Sequence, residues 1–357
     1  MMTSTCEIER TAEREGAGER WRRRTLTIPL YLTAAWLCVR ALPVLVAVAL
    51  FADLLLRRRW LLTRCVLAFS LYLICEAGGI LGSFLLWIAN GACFGGMSPR
   101  YQRWNYALQS LWARTLLDGA CRIFSLQVEV EGEDAVAPGP ILLLVRHAST
   151  IDTLLASRFV SRRHRLRLRY VMKRELLWDP CLDIVGHRLP NVFVRRGSAQ
   201  AEREIASVRN LARDLGPDDG VIIYPEGTRF THAKRTAILE KLRVAGESHR
   251  LQRAESFRHV LPPRLGGTLA VLEARPDLDC VFLAHVGFEV VGSLNDLWNG
   301  RLIGRRIRLK FWRVPSADIP SGEGARGDWI HREWQEVDNW IDQQTDGLPE
   351  NRHGEAA

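Results

Sequence analysis

A histidine and an aspartate separated by four residues, His147 and Asp152, closely follow the apolar run Ile141–Val145. A short apolar run predicts a buried strand, which would deliver the imidazole to the edge of a sheet. Helical spacing begins after it, with Ser149 or Thr150 as the expected N-cap. The positive end of that helix would favour a neutral imidazole, and Asp152 in its first turn would orient the ring. The pair therefore predicts a general base and its orienting carboxylate.

Spacing alone is weak support for such a pair. Because the chain has nine histidines, a His-x4-Asp arises by chance in about 0.4 of comparable sequences. His331 and Glu336 stand at the corresponding His-to-carboxylate interval. They lie among apolar residues that share one helix face and predict core packing, not a second active site: Ile330, Trp334, Val337 and Ile341.

Further apolar runs end in residues suited to binding an anion. Open α/β sheets place their sites at strand ends, and arginine binds phosphate oxygens in pairs without losing its charge. Val221–Tyr224 is followed by Pro225, Glu226, Gly227, Thr228 and Arg229, Val192–Val194 by Arg195 and Arg196, and Val260–Leu261 by Pro262, Pro263 and Arg264.

These blocks resemble the glycerophospholipid acyltransferase superfamily and, within it, the lysophosphatidic acid acyltransferases. The family's Asn-His-x4-Asp block is matched by Arg146, His147 and Asp152, and its Glu-Gly-Thr-Arg block by Glu226–Arg229. The block that closes on arginine is matched by Phe193, Val194 and Arg196, and the proline-bearing turn by Val260–Arg264. Four blocks in family order are far more specific than any one of them. Phe230–Thr231 and the basic turn look most like the longer branch that includes lysocardiolipin acyltransferases; the resemblance covers roughly residues 105–345.

The resemblance implies roles for the matched residues. His147 would take the proton from a lysophospholipid hydroxyl as that oxygen attacks an acyl thioester, with Asp152 holding the ring. The acceptor pocket would be formed by Glu226, which anchors the loop, Gly227, Thr228 and Arg229, which binds the glycerol phosphate.

Two more cationic residues are expected to bind the acceptor phosphate. Arg196 is the second expected phosphate ligand, and Lys173 resembles a lysine that family members often place near the same site. The chain departs from the family at Arg146, where asparagine is usual, and at Arg195, where aspartate is common.

Composition fits an enzyme acting at a membrane surface. A net charge of +9 and 47% hydrophobic residues favour anionic partners: a phospholipid membrane, a lysophospholipid acceptor, and acyl-CoA or acyl carrier protein. The basic runs lack interleaved aromatics, so nucleic acid is not expected. Eight cysteines show no metal-ligand spacing, and no serine-hydrolase elbow or P-loop occurs. We therefore expect no metal and no cofactor, with the thioester as co-substrate.

Two hydrophobic stretches, residues 28–56 and 66–93, are each long enough to cross about 30 Å of hydrocarbon. A two-helix hairpin that spans the bilayer and one that lies in a single leaflet both fit, and the arginines around it do not set its orientation. Arg40 and Glu76 within it are expected to pair with each other or to lie near the interface. We expect a bacterial inner-membrane location with the catalytic domain facing the cytoplasm.

The remainder alternates strand-like and helical segments. This pattern predicts an α/β fold, a mixed sheet flanked by helices, preceded by the N-terminal hydrophobic helical hairpin. The expected division is a disordered tail of basic and acidic residues at 1–26, a membrane-embedded two-helix segment at 27–100, an acyltransferase catalytic domain at 101–346 and a C-terminal tail at 347–357.

Three functions remain open from the sequence. The first is acylation of lysophosphatidic acid to phosphatidic acid. The second is acylation of another lysolipid, such as lysocardiolipin. The third belongs to another class: a membrane-anchored lipid-binding protein that retains the fold without catalysis.

Overall fold

The computed structural model describes residues 15–92, 96–194, 201–292 and 294–346. Its strands are β1 (Gln127–Glu131), β2 (Ile141–Val145), β3 (Arg167–Lys173), β4 (Val192–Val194), β5 (Asp219–Ile223), β6 (Asp279–Val286) and β7 (Arg306–Val314). They form one sheet in the order β1-β7-β6-β2-β5-β3-β4. Neighbouring strands are parallel except β6 and β7. The prediction of a mixed sheet is confirmed.

Helices cover both faces of this sheet. They are α1 (Ala17–Leu55), α2 (Leu61–Ala89), α3 (Pro99–Phe124), α4 (Asp152–Leu155), α5 (Pro180–Gly186), α6 (Ala201–Ala212), α7 (His232–Val244), α8 (Ser248–Glu255), α9 (Leu265–Ala274) and α10 (Glu323–Asp346). One core is formed with α6, α9 and α10, the other with α3, α4 and the π-helical turn Ala156–Ser161. Both cores pack on β2, which explains why that strand is a continuous apolar run. The core stripe predicted around Trp334 is confirmed on α10.

Three adjacent strands bring the candidate residues together. β2 lies between β5 and β6, and Leu144 pairs with Ile223 on one side and Phe282 on the other. Because the three strands run in the same direction, their carboxyl ends meet at one edge of the sheet. The segments that leave this edge carry His147, the Glu226–Arg229 block and the turn after Val286.

The N-terminal hairpin starts earlier than the sequence indicates. α1 begins at Ala17, within the expected tail, and continues through the hydrophobic stretch. Near its end, Asp53 accepts the Thr63 backbone N–H at 2.9 Å at the start of α2. Both helices are long and apolar enough to cross a membrane. Large apolar side chains on both are more than half exposed, among them Trp36, Phe51, Phe69 and Leu85. An apolar surface of this extent is typical of membrane contact.

The hairpin also packs on the α/β domain that contains the sheet. Near the start of α2, Cys65 lies against Leu297, its Sγ 3.6 Å from the carbonyl oxygen. Near the end of α2, Arg188 donates to the carbonyl of Ser83 at 2.9 Å. Contacts with the same domain therefore occur at both ends of this helix.

Charged residues near the N-terminus of α1 form a separate contact with α5. The guanidinium groups of Arg23 and Arg24 both bind Asp183 on α5, and Arg23 also binds Glu15. These ion pairs fix the direction in which the hairpin leaves the domain.

One expectation was that Glu76 pairs with Arg40, but the two residues do not pair. Its carboxylate is fully buried and accepts the indole N–H of Trp112 on α3 at 2.9 Å. Arg40 is exposed on the outer side of α1. Glu76 therefore belongs to the contact between the hairpin and α3.

Candidate active site

His147 and Asp152 form the expected pair. Nδ1 of His147 lies 3.1 Å from Oδ2 of Asp152, and the histidine side chain is 16% exposed while the carboxylate is fully buried. Because Nδ1 faces the carboxylate, the other ring nitrogen, Nε2, is the one that can take a proton from a substrate. The ring also stacks at a tilt on Tyr224, with 4.8 Å between centroids, which fixes its plane.

The predicted N-cap is wrong. α4 begins at Asp152 itself, and neither Ser149 nor Thr150 caps it. Instead, Oδ2 of Asp152 accepts the backbone N–H groups of Ala148 and Ser149, each at 2.7 Å. The carboxylate thus folds the loop that carries the histidine as well as facing its ring.

Asp152 is held in its ionised form. Burial alone would raise the pKa of this carboxyl, but the imidazoles of His285 and His147 outweigh burial and hold the pKa well below its usual range. A carboxylate that keeps its charge at neutral pH can stabilise an imidazolium formed beside it.

Glu226, in the Glu-Gly-Thr-Arg block, connects this block to the histidine block and to the proline-bearing turn. Its Oε1 accepts the backbone N–H of His147 at 2.7 Å, and its Oε2 accepts that of Leu261 at 2.9 Å. Phe230 N–H returns a hydrogen bond to the His147 carbonyl at 2.7 Å. Burial raises the pKa of Glu226 to about 8, against the lowering effect of the two backbone donors. The residue lies behind the histidine and is itself buried.

Gly227 is required by the turn that presents this block. Its N–H donates to the Tyr224 carbonyl at 2.9 Å, and its φ is +68°. A Cβ at this position would lie 2.8 Å from Cδ of Arg264. Both the left-handed backbone and the close approach of that side chain favour glycine.

Arg229 and Thr228 lie beyond the turn. The Arg229 guanidinium donates to Thr150 Oγ1 at 3.2 Å and to the carbonyl of Gly292, so it bridges the loops after β2 and β6. Thr228 Oγ1 accepts from Lys234 Nζ at 3.0 Å. Lys234, on α7, is a cation of this region that the sequence reasoning missed, because it follows the recognised block by five residues.

Lys173 stands apart from this cluster. Lys173 ends β3 at the same edge of the sheet and is exposed, two strands away from β2. Arg195 and Arg196 lie outside the described residues.

Arg146, which stands where asparagine is usual in the family block, is buried and holds neighbouring segments together. Its guanidinium donates to the carbonyls of His285 and His259 and to Glu289 Oε1, the last at 2.7 Å. It lines a cavity of about 480 Å³ at the same sheet edge, together with Phe230, Thr231, Glu289 and Arg305.

His285 was also missed by the sequence reasoning. It lies on β6 within the apolar run Cys280–Val286, is fully buried and places Nε2 3.4 Å from Oδ1 of Asp152. The signal that singled out His147, a histidine where a buried strand reaches the sheet edge, is present here too.

Comparisons with known proteins agree with this picture. Residues 127–280 match the family model Acyltransferase. The chain is 23% identical over 256 residues to mouse (Mus musculus) 1-acyl-sn-glycerol-3-phosphate acyltransferase epsilon, covering 68% of each protein. It is 28% identical over 249 residues to the mouse gamma enzyme, covering 67% of this chain and 63% of that protein. The chain therefore spans about two thirds of the length of these relatives.

A solved structure is similar as well. The 1-acyl-sn-glycerophosphate (LPA) acyltransferase PlsC from Thermotoga maritima matches 78% of this chain and 100% of its own, with a TM-score of 0.41 and 14% identity.

Proposed function

We propose that this chain, whose residues 127–280 match the Acyltransferase family model, transfers a fatty acyl group from a thioester to the free hydroxyl of lysophosphatidic acid, giving phosphatidic acid. The observation that carries the proposal is the His147–Asp152 pair, 3.1 Å apart with Asp152 fully buried. The names of the relatives, 1-acyl-sn-glycerol-3-phosphate acyltransferases, support the choice of acceptor.

In the proposed reaction His147 Nε2 accepts the proton of the acceptor hydroxyl while the oxygen attacks the thioester carbonyl. A carbon–oxygen bond forms, the carbon–sulfur bond breaks, and the leaving thiolate receives the proton from the imidazolium. Asp152 holds the ring through Nδ1 and offsets the positive charge that forms on it. The acyl group passes directly to the acceptor, so no acyl-enzyme is required.

The phosphate of the acceptor is assigned to the loop after β5. Arg229 supplies a planar guanidinium suited to phosphate oxygens, and Gly227 lets the backbone come close. Thr228 and its neighbour Lys234 add a hydroxyl and an ammonium. Glu226 acts from behind by fixing the positions of His147 and Leu261. Arg196 and Lys173 are proposed as further phosphate ligands.

Phosphate recognition is tested by comparing acceptors with one acyl chain and different head groups. With acyl-CoA as donor, we expect kcat/KM for lysophosphatidic acid to exceed that for monoacylglycerol by about 100-fold, since the latter lacks the phosphate that Arg229 would bind. Equal rates with both would refute phosphate recognition. Preference for lysocardiolipin would select the alternative acceptor, and lipid binding without transfer from coenzyme A or acyl-carrier-protein thioesters would indicate a non-catalytic protein.

We further propose that the hairpin lies in one leaflet of the membrane. From Cys65 to Ser83, the two residues of α2 that make the contacts described above, the helix rises about 27 Å, close to the ~30 Å thickness of the hydrocarbon core. The partners at its two ends, Leu297 and Arg188, both belong to the catalytic domain. A spanning α2 would place parts of that domain on opposite sides of the bilayer. The exposed apolar faces of α1 and α2 instead contact lipid from one side.

Labelling of introduced cysteines in sealed vesicles tests this topology. Arg58→Cys lies in the connection between α1 and α2, and Arg250→Cys on exposed α8 reports the catalytic domain. We expect a membrane-impermeant maleimide to label both from the same side, with the wild-type chain as background. Labelling of Arg58→Cys only from the opposite side would show that the hairpin spans.

A further inference from the structure

A second imidazole, that of His285, lies beside Asp152 on the side away from His147. His285 Nε2 lies 3.4 Å from Oδ1 of Asp152 and 3.1 Å from the carbonyl oxygen of Arg146. Oδ2, the other carboxylate oxygen, faces His147 and two backbone N–H groups. The N–H of His285 makes its hydrogen bond with the Arg146 carbonyl and lies beside Oδ1, which has no hydrogen-bond partner among the described residues. The mechanism above does not use this second imidazole.

The surroundings determine which nitrogen of His285 carries hydrogen. Nε2 faces two acceptors, a carboxylate and a carbonyl, so it is the donor. Nδ1 is buried and has no hydrogen-bond partner among the described residues. A hydrogen on Nδ1 as well would leave a buried donor unpaired, which is costly. The ring is thus arranged to present one N–H toward Asp152 and the end of β2.

We infer that His285 is a positioning residue for the acyl transfer, which fixes the rotation of the Asp152 carboxylate and shares its negative charge with His147. The inference rests on the proposed function. His285 is fully buried and does not touch substrate, so it acts only through Asp152. It also ties β6 to the end of β2 through the Arg146 carbonyl, which holds the histidine loop in place.

Removal of the second donor has a defined electrostatic consequence. Without His285, the charge of Asp152 acts on His147 alone and favours its protonated form. At a given pH, a larger fraction of His147 is then protonated in the variant than in wild type. The titratable and charged groups that face this site are Asp152, His147, Tyr224, Arg146 and Glu289, with Glu226 beyond Asp152. None of them is altered by a substitution at residue 285.

Three substitutions separate positioning from filling of space. His285→Gln keeps an N–H near the place of Nε2, His285→Asn places its amide nearer Nδ1, and His285→Leu removes the donor. We expect His285→Leu and His285→Asn to lower kcat about 10-fold, as for loss of one hydrogen bond together with an N–H dipole that lies beside the Asp152 charge. KM for lysophosphatidic acid should stay within about threefold, and the acidic limb of the pH–rate profile should move to higher pH. His285→Gln should retain kcat within about threefold of wild type.

A second readout does not depend on the proposed reaction. Diethyl pyrocarbonate modifies neutral imidazole, and mass spectrometry of the peptide that carries His147 gives its modification from about pH 5 to 8. We expect half-maximal modification at higher pH in His285→Leu and His285→Asn than in wild type and His285→Gln. Unmoved modification profiles in the leucine and asparagine variants, or equal loss of kcat in all three, would overturn the inference. If His285→Leu does not accumulate in membranes, the glutamine and asparagine pair decides. Failure of the acceptor assignment alone would leave the modification result intact.

Discussion

Replacement of Asp152 by asparagine isolates its charge from its role in folding the loop. Oδ2 of Asp152 accepts two backbone N–H groups at 2.7 Å and faces His147 Nδ1 at 3.1 Å. An asparagine can place its carbonyl oxygen at the same position and accept all three hydrogens. The change then removes one negative charge about 4 Å from the centre of the imidazolium, which is worth about 4 kcal/mol at an effective dielectric constant of ~20.

That figure sets the expected rate. A loss of about 4 kcal/mol corresponds to about 10³-fold, and partial solvent access to the ring reduces it, so Asp152→Asn should lower kcat about 10²- to 10³-fold. KM for lysophosphatidic acid should stay within about threefold, because the carboxylate does not touch the acceptor in the proposed site. The assay is formation of phosphatidic acid in vesicles from labelled acyl-CoA.

Asp152→Ala is the matched control. It removes the acceptor for both backbone N–H groups, so we expect a larger fall of the thermal unfolding midpoint than in Asp152→Asn. If Asp152→Asn kept more than about a tenth of the wild-type kcat, electrostatic support of His147 by Asp152 would be refuted.

Three further outcomes follow from the loop after β5. Arg229→Gln should raise KM for lysophosphatidic acid about 10- to 100-fold and leave KM for acyl-CoA unchanged; an equal rise in both would refute a role in acceptor binding. Gly227→Ala should lower the free energy of unfolding by about 1 kcal/mol or more, and by more than Gly246→Ala. Gly246 has nearly the same φ, +69° against +68°, but a Cβ there would meet no atom within 4 Å, whereas a Cβ at Gly227 would meet Arg264; equal losses would contradict the close approach. Because burial raises the pKa of Glu226 to about 8 from 4.5, its contribution to stability is full below about pH 4.5 and is lost as pH rises through about 8. The unfolding midpoint of wild type should therefore fall between about pH 5 and 8 more than that of Glu226→Gln, and parallel curves would show that this carboxyl is not the source.

The sheet edge and the residues on it could be predicted from the sequence because polar residues follow the apolar strands directly, and the carboxyl ends of parallel strands lie at one edge of the sheet. Ile141–Val145 and Val221–Ile223 are buried on both sides, and such runs are read directly from apolar composition. His147 and Glu226 follow them within a few residues, so their proximity was implied by strand direction.

Other features depend on contacts between distant segments. His285 is 133 residues from Asp152, and nothing in its local sequence indicates that β6 lies beside β2. Glu76 pairs with Trp112 and not with Arg40 because α3 packs on α2. The start of α1 at Ala17 was missed since its first turns are polar and are held by Asp183. Secondary-structure propensity does not report such tertiary contacts.

Replacement of His147 by alanine tests the central claim most directly. Membranes that carry wild type, His147→Ala or the control His331→Ala would receive labelled acyl-CoA and lysophosphatidic acid, and phosphatidic acid would be measured. His331 stands five residues before Glu336 but lies on α10, bonded to the Gly327 carbonyl at 2.8 Å. The account predicts product from wild type and His331→Ala, and at least about a 10²-fold loss in His147→Ala. Undiminished product from His147→Ala would contradict it.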